Sequence, residues 1–386
     1  MGLARSALNA GGRVALGASA IDTMVTGACG RAPLCVINGR FYGQPVTGVQ
    51  RYGREIVRAL EPLLAGRGAT ALLTLPRGTA PPPSGPAVAA ASPSRVPGHV
   101  WEQSVLPASG PAPLLNLCNT APVVRRRQVV CLHDANVLTQ PGSYSRGFRL
   151  FYRTLHPLLA RRAAVIATVS HASAADLARH LGLERSRIAV LPNGHEHALR
   201  WWVDDTVMVR VPGRRPFVLL LGSRARHKNI GLMLRLAPAL DDLGIDLVIT
   251  GGSAAIFAAE APPQPAMPNV HLLGRVADSE LAALLARALC LAFPSWTEGF
   301  GLPIVEAMAR GCPVVASNRA SMPEVCGDAA LMAAPDDPHA WRDAIAALHS
   351  SPALRADLAG RGAEQARRFS WAESAAGYLD LLERLA

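Results

Sequence analysis

Short runs of consecutive apolar residues recur along both halves of the chain, separated by longer amphipathic stretches. In the first half they fall at 34–38, 71–75, 114–117, 129–132, 164–169 and 188–191. A strand with one face in water alternates polar and apolar residues. A run that stays apolar at every position belongs to a strand covered on both faces, which is the mark of a parallel sheet between helices. After 34–38 and a glycine-bearing loop comes a helical period: Val49, Tyr52, Ile56, Ala59 and Leu60 share one face, with Arg51, Arg54, Glu55 and Arg58 mostly opposite. Residues 173–181 read as a second helix. Residues 76–98 are dense in Pro, Gly, Ser and Ala and read as a loop.

Between 195 and 215 the period is lost, with mixed charges and Pro212-Gly213, which marks a linker over 201–215. The pattern then restarts, with strands expected at 217–221, 246–250, 270–272, 290–293 and 314–316 and helices at 230–243, 278–288, 303–310 and 339–348. Two series of alternating strands and helices imply an α/β chain of two Rossmann-like domains, each a doubly wound parallel sheet, facing a central cleft. Ligands in such sheets bind beyond the carboxyl ends of the strands. The expected boundaries are an N-terminal domain over 32–200, a C-terminal domain over 216–370 and a terminal helix over 371–386. Residues 1–31, rich in Ala and Gly and without period, read as a disordered leader. No run of about 18 apolar residues suggests a membrane span.

Charge is uneven. Residues 1–200 hold 22 Arg and no Lys against 8 acidic residues, whereas residues 201–386 hold 17 basic against 20 acidic ones. A basic first half suits an anionic partner: nucleic acid, a membrane surface or a phosphorylated substrate. An overall bias towards arginine gives the same excess. Of 39 basic residues one alone is lysine, Lys228. A compact ammonium and a planar guanidinium are not interchangeable where a single phosphate oxygen must be reached, so the retained lysine draws the eye to its segment. The 7 cysteines are scattered and form no C-x-x-C pair; they read as buried free thiols of a cytoplasmic protein.

The richest segment is Pro294-Ser295-Trp296-Thr297-Glu298-Gly299-Phe300-Gly301-Leu302-Pro303-Ile304-Val305-Glu306-Ala307. An apolar strand feeds a glycine-punctuated loop, and Pro303 suits the first position of a helix. The N–H groups from Phe300 to Leu302 then face outward at a helix N-terminus, which favours a phosphate. Glu298 lies in the loop and Glu306 about one turn into the helix, so two carboxylates can reach one ligand at different depths. Carboxylates accept strongly from sugar hydroxyls. A second segment, Leu221-Gly222-Ser223-Arg224-Ala225-Arg226-His227-Lys228-Asn229, follows the first strand of the second domain. Arg226 and His227 read as solvent-facing. Elsewhere, Gly43-Gln44-Pro45-Val46-Thr47-Gly48-Val49-Gln50-Arg51 is a glycine loop with Thr47 as a helix cap, and Cys131-Leu132-His133-Asp134 ends a buried strand. In Thr168-Val169-Ser170-His171-Ala172-Ser173 both serines can cap a helix, and Ser173 reads as one. Pro192-Asn193-Gly194 reads as a turn.

Glu298 and Glu306 stand in the spacing Glu-x7-Glu, and the segment around them resembles that motif of the retaining glycosyltransferases of family 4, which share the two-domain GT-B fold. The resemblance extends from about Leu34 to Leu385 and takes in bacterial exopolysaccharide and surface-polysaccharide transferases. It implies transfer of a hexose, such as mannose or glucose, from a nucleoside diphosphate sugar to a saccharide or a polyprenyl-diphosphate-linked saccharide. Retention at the anomeric carbon, and no bound cofactor or metal, are part of the same expectation. Glu306 would hold the ribose hydroxyls and Glu298 the donor hexose. The amides of Phe300, Gly301 and Leu302 would meet the diphosphate or sugar, and Gly48 would let backbone approach the donor phosphate or the acceptor. His133 would lie beside the sugar ring, and Asp134 would be structural or on the acceptor side. Lys228 and an arginine would stabilise the departing diphosphate. Family members commonly carry a basic residue soon after the glycine; Ser223 stands there and an arginine follows, so Arg224 is the expected partner and Arg226 the reserve. Ser370-Trp371 and the helix after it resemble the element that crosses back onto the first domain.

No Asp-x-Asp points to a divalent cation, no G-x-G-x-x-G to a nicotinamide, and no G-x-S-x-G or His/Cys cluster to hydrolase or zinc chemistry. With 5% aromatic residues and no basic–aromatic interleaving, nucleic acid is not an expected partner. The basic first half fits an anionic or membrane-borne acceptor, hence a cytoplasmic protein peripheral at the inner face of the membrane. A nucleotide-sugar 2-epimerase of the same architecture and a non-catalytic transferase-like subunit stay open as alternatives.

Overall fold

A computed structural model describes residues 32–83, 85–91, 96, 98–211, 213, 215–222, 225–252 and 267–386. The leader expected over 1–31 lies outside the described residues. The first sheet is built from β1 (Cys35–Asn38), β2 (Ala71–Thr74), β3 (Val88–Ala91), β4 (Leu114–Asn116), β5 (Gln128–Cys131), β6 (Val165–Thr168) and β7 (Ile188–Val190). The second holds β8 (Phe217–Leu221), β9 (Asp246–Thr250), β10 (Val270–Gly274), β11 (Cys290–Phe293), β12 (Val314–Ser317) and β13 (Leu331–Ala333). The strand orders are β3-β2-β1-β4-β5-β6-β7 and β10-β9-β8-β11-β12-β13. Every pairing is parallel. These are two Rossmann-like domains of the GT-B fold. The continuous apolar runs have the cause expected of them: every residue of β1, β2, β5, β9, β11 and β12 is buried.

Two strands and several helices depart from the sequence reading, three of the helices longer than the one-turn pieces Asn136–Thr139, Glu196–Leu199 and Met322–Cys326. β3 lies inside the stretch read as a loop; its Val-Ala-Ala-Ala sequence has little apolar bulk and sits at the sheet edge. β13 lies in an alanine-rich stretch at the edge of its sheet and is absent from that reading. The helices Gly98–Ser104 and Arg146–Arg162 carry no clear apolar stripe, the second having Pro157 inside it. The helix Pro352–Arg367 is largely polar.

In each sheet the order reverses beside the first strand, between β1 and β4 and between β8 and β11. Crossovers leave to opposite faces at such a point and open a crevice at the carboxyl ends of the two strands. The helix Gly48–Gly66 follows β1 and buries Tyr52, Ile56, Val57, Leu60 and Leu64. The last helix, Trp371–Leu385, packs along it, and the hydroxyls of Tyr52 and Tyr378 lie 2.9 Å apart. One apolar cluster runs through both domains, from Ile37 and Tyr52 through Trp371 and Tyr378 to Val305 and Val314.

Candidate active site

β8 ends at Leu221, and a short turn, Arg226–Lys228, returns the chain towards the sheet. β11 ends at Phe293, and the loop beyond it carries Glu298. These neighbouring strands flank the reversal of the second sheet, so Lys228 and Glu298 face each other across it. Lys228 Nζ donates to Glu298 Oε1 at 2.7 Å, and the ammonium lies 5.4 Å from the centre of the Phe293 ring. Burial alone would push the Glu298 carboxyl up. The Lys228 charge, His227 and hydrogen bonds from Lys228 and Ser295 outweigh it and hold the group below the usual carboxylate range. Asn229, in the left-handed region at φ 53°, ties the two loops together, its Nδ2 donating to the carbonyls of Pro294 and Pro335 at 3.1 and 2.8 Å.

The helix Leu302–Ala309 begins just past the loop. Its cap is Gly301, whose φ of 100° and ψ of 49° place it where an L side chain is strained. Ile304 N donates to Gly301 O at 2.9 Å as the first bond of the helix, so the preceding amides of Gly301 and Leu302 stand outside its ladder. The Phe300 ring is buried edge-on against Phe369, and the Phe300 carbonyl accepts from Ser321 Oγ at 2.9 Å. Ser321 Oγ also lies 3.0 Å from the Glu298 carbonyl, so one hydroxyl braces both ends of the turn.

Glu306 is 5% exposed and is held by residues the sequence reading did not single out. Its Oε1 lies 2.8 Å from His197 Nε2. The other ring nitrogen of His197, Nδ1, lies 3.0 Å from Trp371 Nε1. An indole N–H can only donate, so Nδ1 accepts, and the proton of a neutral His197 sits on Nε2 and points at Glu306. Trp371 opens the crossing helix, which thus reaches the carboxylate through one imidazole. Arg51 Nε is 3.7 Å from the same Oε1, and the guanidinium forks onto Asp278 at 2.9 and 2.5 Å. These partners lie far from Glu306 in the chain, and no local spacing announces them.

The first domain closes over the loop. Ser170 Oγ and Ser173 Oγ donate to the Gly299 carbonyl at 2.6 and 2.9 Å. Ser170, not Ser173, is the helix cap, accepting from Ser173 N at 3.0 Å, while the Ser173 hydroxyl crosses to the other domain. A Cβ on Gly299 would stand 2.4 Å from the His133 carbonyl and 3.3 Å from Asp134 Cβ, so glycine is needed for this approach. Thr297 Oγ1 donates to Asn136 Oδ1 at 2.9 Å. Glu324 of the second domain accepts from the amides of His171 and Ala172 at 2.9 and 3.1 Å, the first turn of a helix of the first domain.

His133 is buried. Its Nε2 lies 2.8 Å from the Leu117 carbonyl, and its ring meets Tyr52 edge-on at 4.8 Å. Burial pushes it down to about 4 against the pull of that bond, so it is neutral near pH 7. Asp134, partly buried and accepting from Asn136 N at 2.8 Å, is pushed up to about 6 by burial, opposed by that bond and reinforced by Glu298. His227 is buried rather than solvent-facing. Its ring stacks on Tyr144 at 6.0 Å, because the Arg226–Lys228 turn tucks under the first domain, whose Ser143 Oγ accepts from His227 N at 3.2 Å. Arg226 is exposed. Arg224 lies outside the described residues. Gly48 begins its helix beside open space, and Arg275 of the second domain donates to the neighbouring Val46 carbonyl at 2.7 Å.

Lys228, Glu298, Gly301, Leu302 and Glu306 thus follow the carboxyl ends of β8 and β11, and the approach of Gly299 to the His133 carbonyl sets the segment after β5 against the Glu298 loop. Residues 215–351 match the family model described as Glycosyl transferases group 1, and residues 46–199 match Glycosyltransferase Family 4. The chain is 30% identical over 271 residues to the O-antigen chain mannosyltransferase B of Escherichia coli, spanning 64% of this chain and 67% of that one. It belongs to the family 4 glycosyltransferases. With the O-antigen chain mannosyltransferase RfbU of Salmonella typhimurium it shares 25% identity over 236 residues, 61% of this chain and 64% of the relative. Among solved structures the transferase resembles Anabaena HepE in complex with UDP and glucose, with a TM-score of 0.67, 17% identity and coverage of 91% of this chain and 99% of that one.

Proposed function

We propose that this glycosyltransferase moves a hexose, mannose being favoured by the names of its relatives, from a nucleoside diphosphate sugar to a saccharide or polyprenyl-diphosphate-linked saccharide, with retention of configuration. The observation that carries the reading is the Lys228–Glu298 pair at the strand-order reversal, beside the glycine-capped helix that bears Glu306. Glu306, fixed by His197, takes the ribose hydroxyls. The amides of Gly301 and Leu302 and the Lys228 ammonium face the diphosphate, with Arg224 as the second cation. As the bond from the anomeric carbon to the diphosphate oxygen breaks, negative charge grows on that oxygen, where an already oriented cation and helix terminus stabilise it without reorganisation. Glu298, kept ionised by Lys228, accepts from hexose hydroxyls. Neutral His133 would lie beside the sugar ring, and the Asp134 carboxyl would be structural or on the acceptor side. The closed loop around Gly299 excludes water from the reacting carbon.

A transfer assay tests this. The purified enzyme is given GDP-mannose or UDP-glucose with a polyprenyl-diphosphate saccharide, in buffer with and without EDTA, and the product linkage is read by NMR. The reading expects an acceptor-dependent product whose anomeric configuration matches the donor, formed equally with EDTA. Donor consumed without acceptor would instead identify a 2-epimerase. An inverted product would remove the retaining mechanism, and a product lost with EDTA would remove metal independence.

A further inference from the structure

The helix Arg146–Arg162 has the sequence RGFRLFYRTLHPLLARR, with Arg146, Arg149, Arg153, Arg161 and Arg162 and no acidic residue. Among the described residues none of these five arginines pairs with a carboxylate. The same helix leaves large apolar side chains in water. Leu150 is 71% exposed, Leu158 39% and Phe151 38%. Leu150 and Leu158 are eight residues apart, two turns along one face, and Phe151 stands beside Leu150. The row continues onto the neighbouring helix Gly98–Ser104, where His99 meets Phe151 with ring centres 4.8 Å apart and Val100 is 66% exposed. On its inner side the helix is anchored by ring contacts, Tyr144 stacked on Phe148 at 5.3 Å and Phe148 tilted against Tyr152 at 4.4 Å. Tyr144 in turn stacks on His227 at the rim of the cleft.

We infer that this face, Leu150, Phe151, Leu158 and Val100 with the flanking Arg146, Arg153, Arg161 and Arg162, is where the enzyme seats on an anionic lipid bilayer. Apolar side chains along one helical face, flanked by cations, suit the boundary between headgroups and acyl chains: the apolar row enters, and the long arginines reach the phosphates. Charge complementarity selects the partner, because five guanidiniums with no carboxylate partner among the described residues repel a basic surface and attract a phosphate layer, the four flanking ones all being exposed. A run of ring contacts, Phe151 to Tyr152 to Phe148 to Tyr144, leads from this face to His227 beside Lys228, so a lipid-linked acceptor would reach the Lys228–Glu298 pair from the membrane side. The inference rests on the reading above for its membrane-borne acceptor, but it names a surface that the reading does not.

Vesicle flotation tests it. The full-length enzyme is mixed at low and at high salt with vesicles of phosphatidylcholine alone, and with vesicles in which about one lipid in three is phosphatidylglycerol. The wild type is expected to float with the anionic vesicles at low salt and to release at high salt. Arg146→Gln with Arg153→Gln is expected to weaken binding about thirtyfold. Leu150→Ser with Leu158→Ser is expected to weaken it at least tenfold. Both pairs should keep the wild-type melting shift with nucleotide, which shows that they fold and that the donor site is untouched. Wild type that floats while both pairs float equally well would overturn this surface and leave a membrane-borne acceptor standing. Wild type that stays with neither vesicle would overturn it too, and transfer to a water-soluble saccharide would show that the enzymatic reading survives. A dimer in light scattering that the leucine pair dissolves, without vesicle binding, would assign the face to a second copy of the chain.

Discussion

The positions of the two glutamates and the single lysine were legible in the sequence, because a strand end, a glycine loop and a helix start fix where they stand. The gathering of His197, Arg51 and, behind His197, Trp371 about Glu306 was not, since it forms only through the fold; Trp371 itself stood out only as the start of the crossing helix. His227 was misread because a short polar turn looks solvent-facing until the first domain covers it. Burial of titratable side chains also has a consequence for stability. His133, His156 and His227 are each pushed down to about 4 by burial, from an ordinary value of 6.5. The unfolded chain therefore binds three protons that the native one refuses as pH falls from about 6.5 towards 4, and stability is lost over that window. Asp134 works the other way. Its native value of about 6 exceeds the ordinary 3.8, so it favours the native state at low pH and offsets one of the three. These four groups together give a net slope of up to about 2.7 kcal/mol per pH unit between pH 6 and 4, stability rising with pH, and the lowered Glu102 and Glu298 carboxyls add to it towards pH 4. Urea unfolding at stepped pH measures it; a flat profile would show that these imidazoles are hydrated in the native protein.

At the scale of elements, long buried strands and strongly amphipathic helices announced themselves, and weak ones did not. β11 is apolar throughout and β12 up to its last residue, Ser317, whereas β3 offers three alanines and β13 lies among alanines at a sheet edge. The helix Arg146–Arg162 hides its period because its apolar residues lie on two faces, one against the domain and one in water. The join between β11 and the helix Leu302–Ala309 depends on Gly301. A Cβ there would be strained at φ 100° and would press on Ile304 Cδ1 at 3.0 Å. Gly301→Ala is expected to lower stability by about 1–3 kcal/mol. Nucleotide affinity should fall as well, because the amides at the helix start would tilt. Denaturant titration with nucleotide binding separates the two effects. Unchanged affinity in the destabilised variant would remove these amides from the ligand.

For the whole molecule, the two alternating halves made the architecture legible from sequence alone, but not the way the halves meet. The crossing helix binds the first domain through Tyr378 and Tyr52 and reaches Glu306 through Trp371 and His197. The loop that carries Glu298 is gripped from across the cleft by Ser170 and Ser173. The proposed donor site and the join between the domains thus share one set of contacts. The central claim is that Glu306, so held, receives a nucleoside diphosphate. The decisive measurement is the melting shift of wild type, Glu306→Gln and His197→Phe with UDP, GDP, ADP and dTDP. One nucleotide, at a hundred times its Kd, should stabilise the wild type by about 2.7 kcal/mol. Glu306→Gln should abolish that shift, and His197→Phe should weaken binding about tenfold or more through loss of a charge-assisted hydrogen bond. No shift with any nucleotide, or a full shift in Glu306→Gln, would contradict the account.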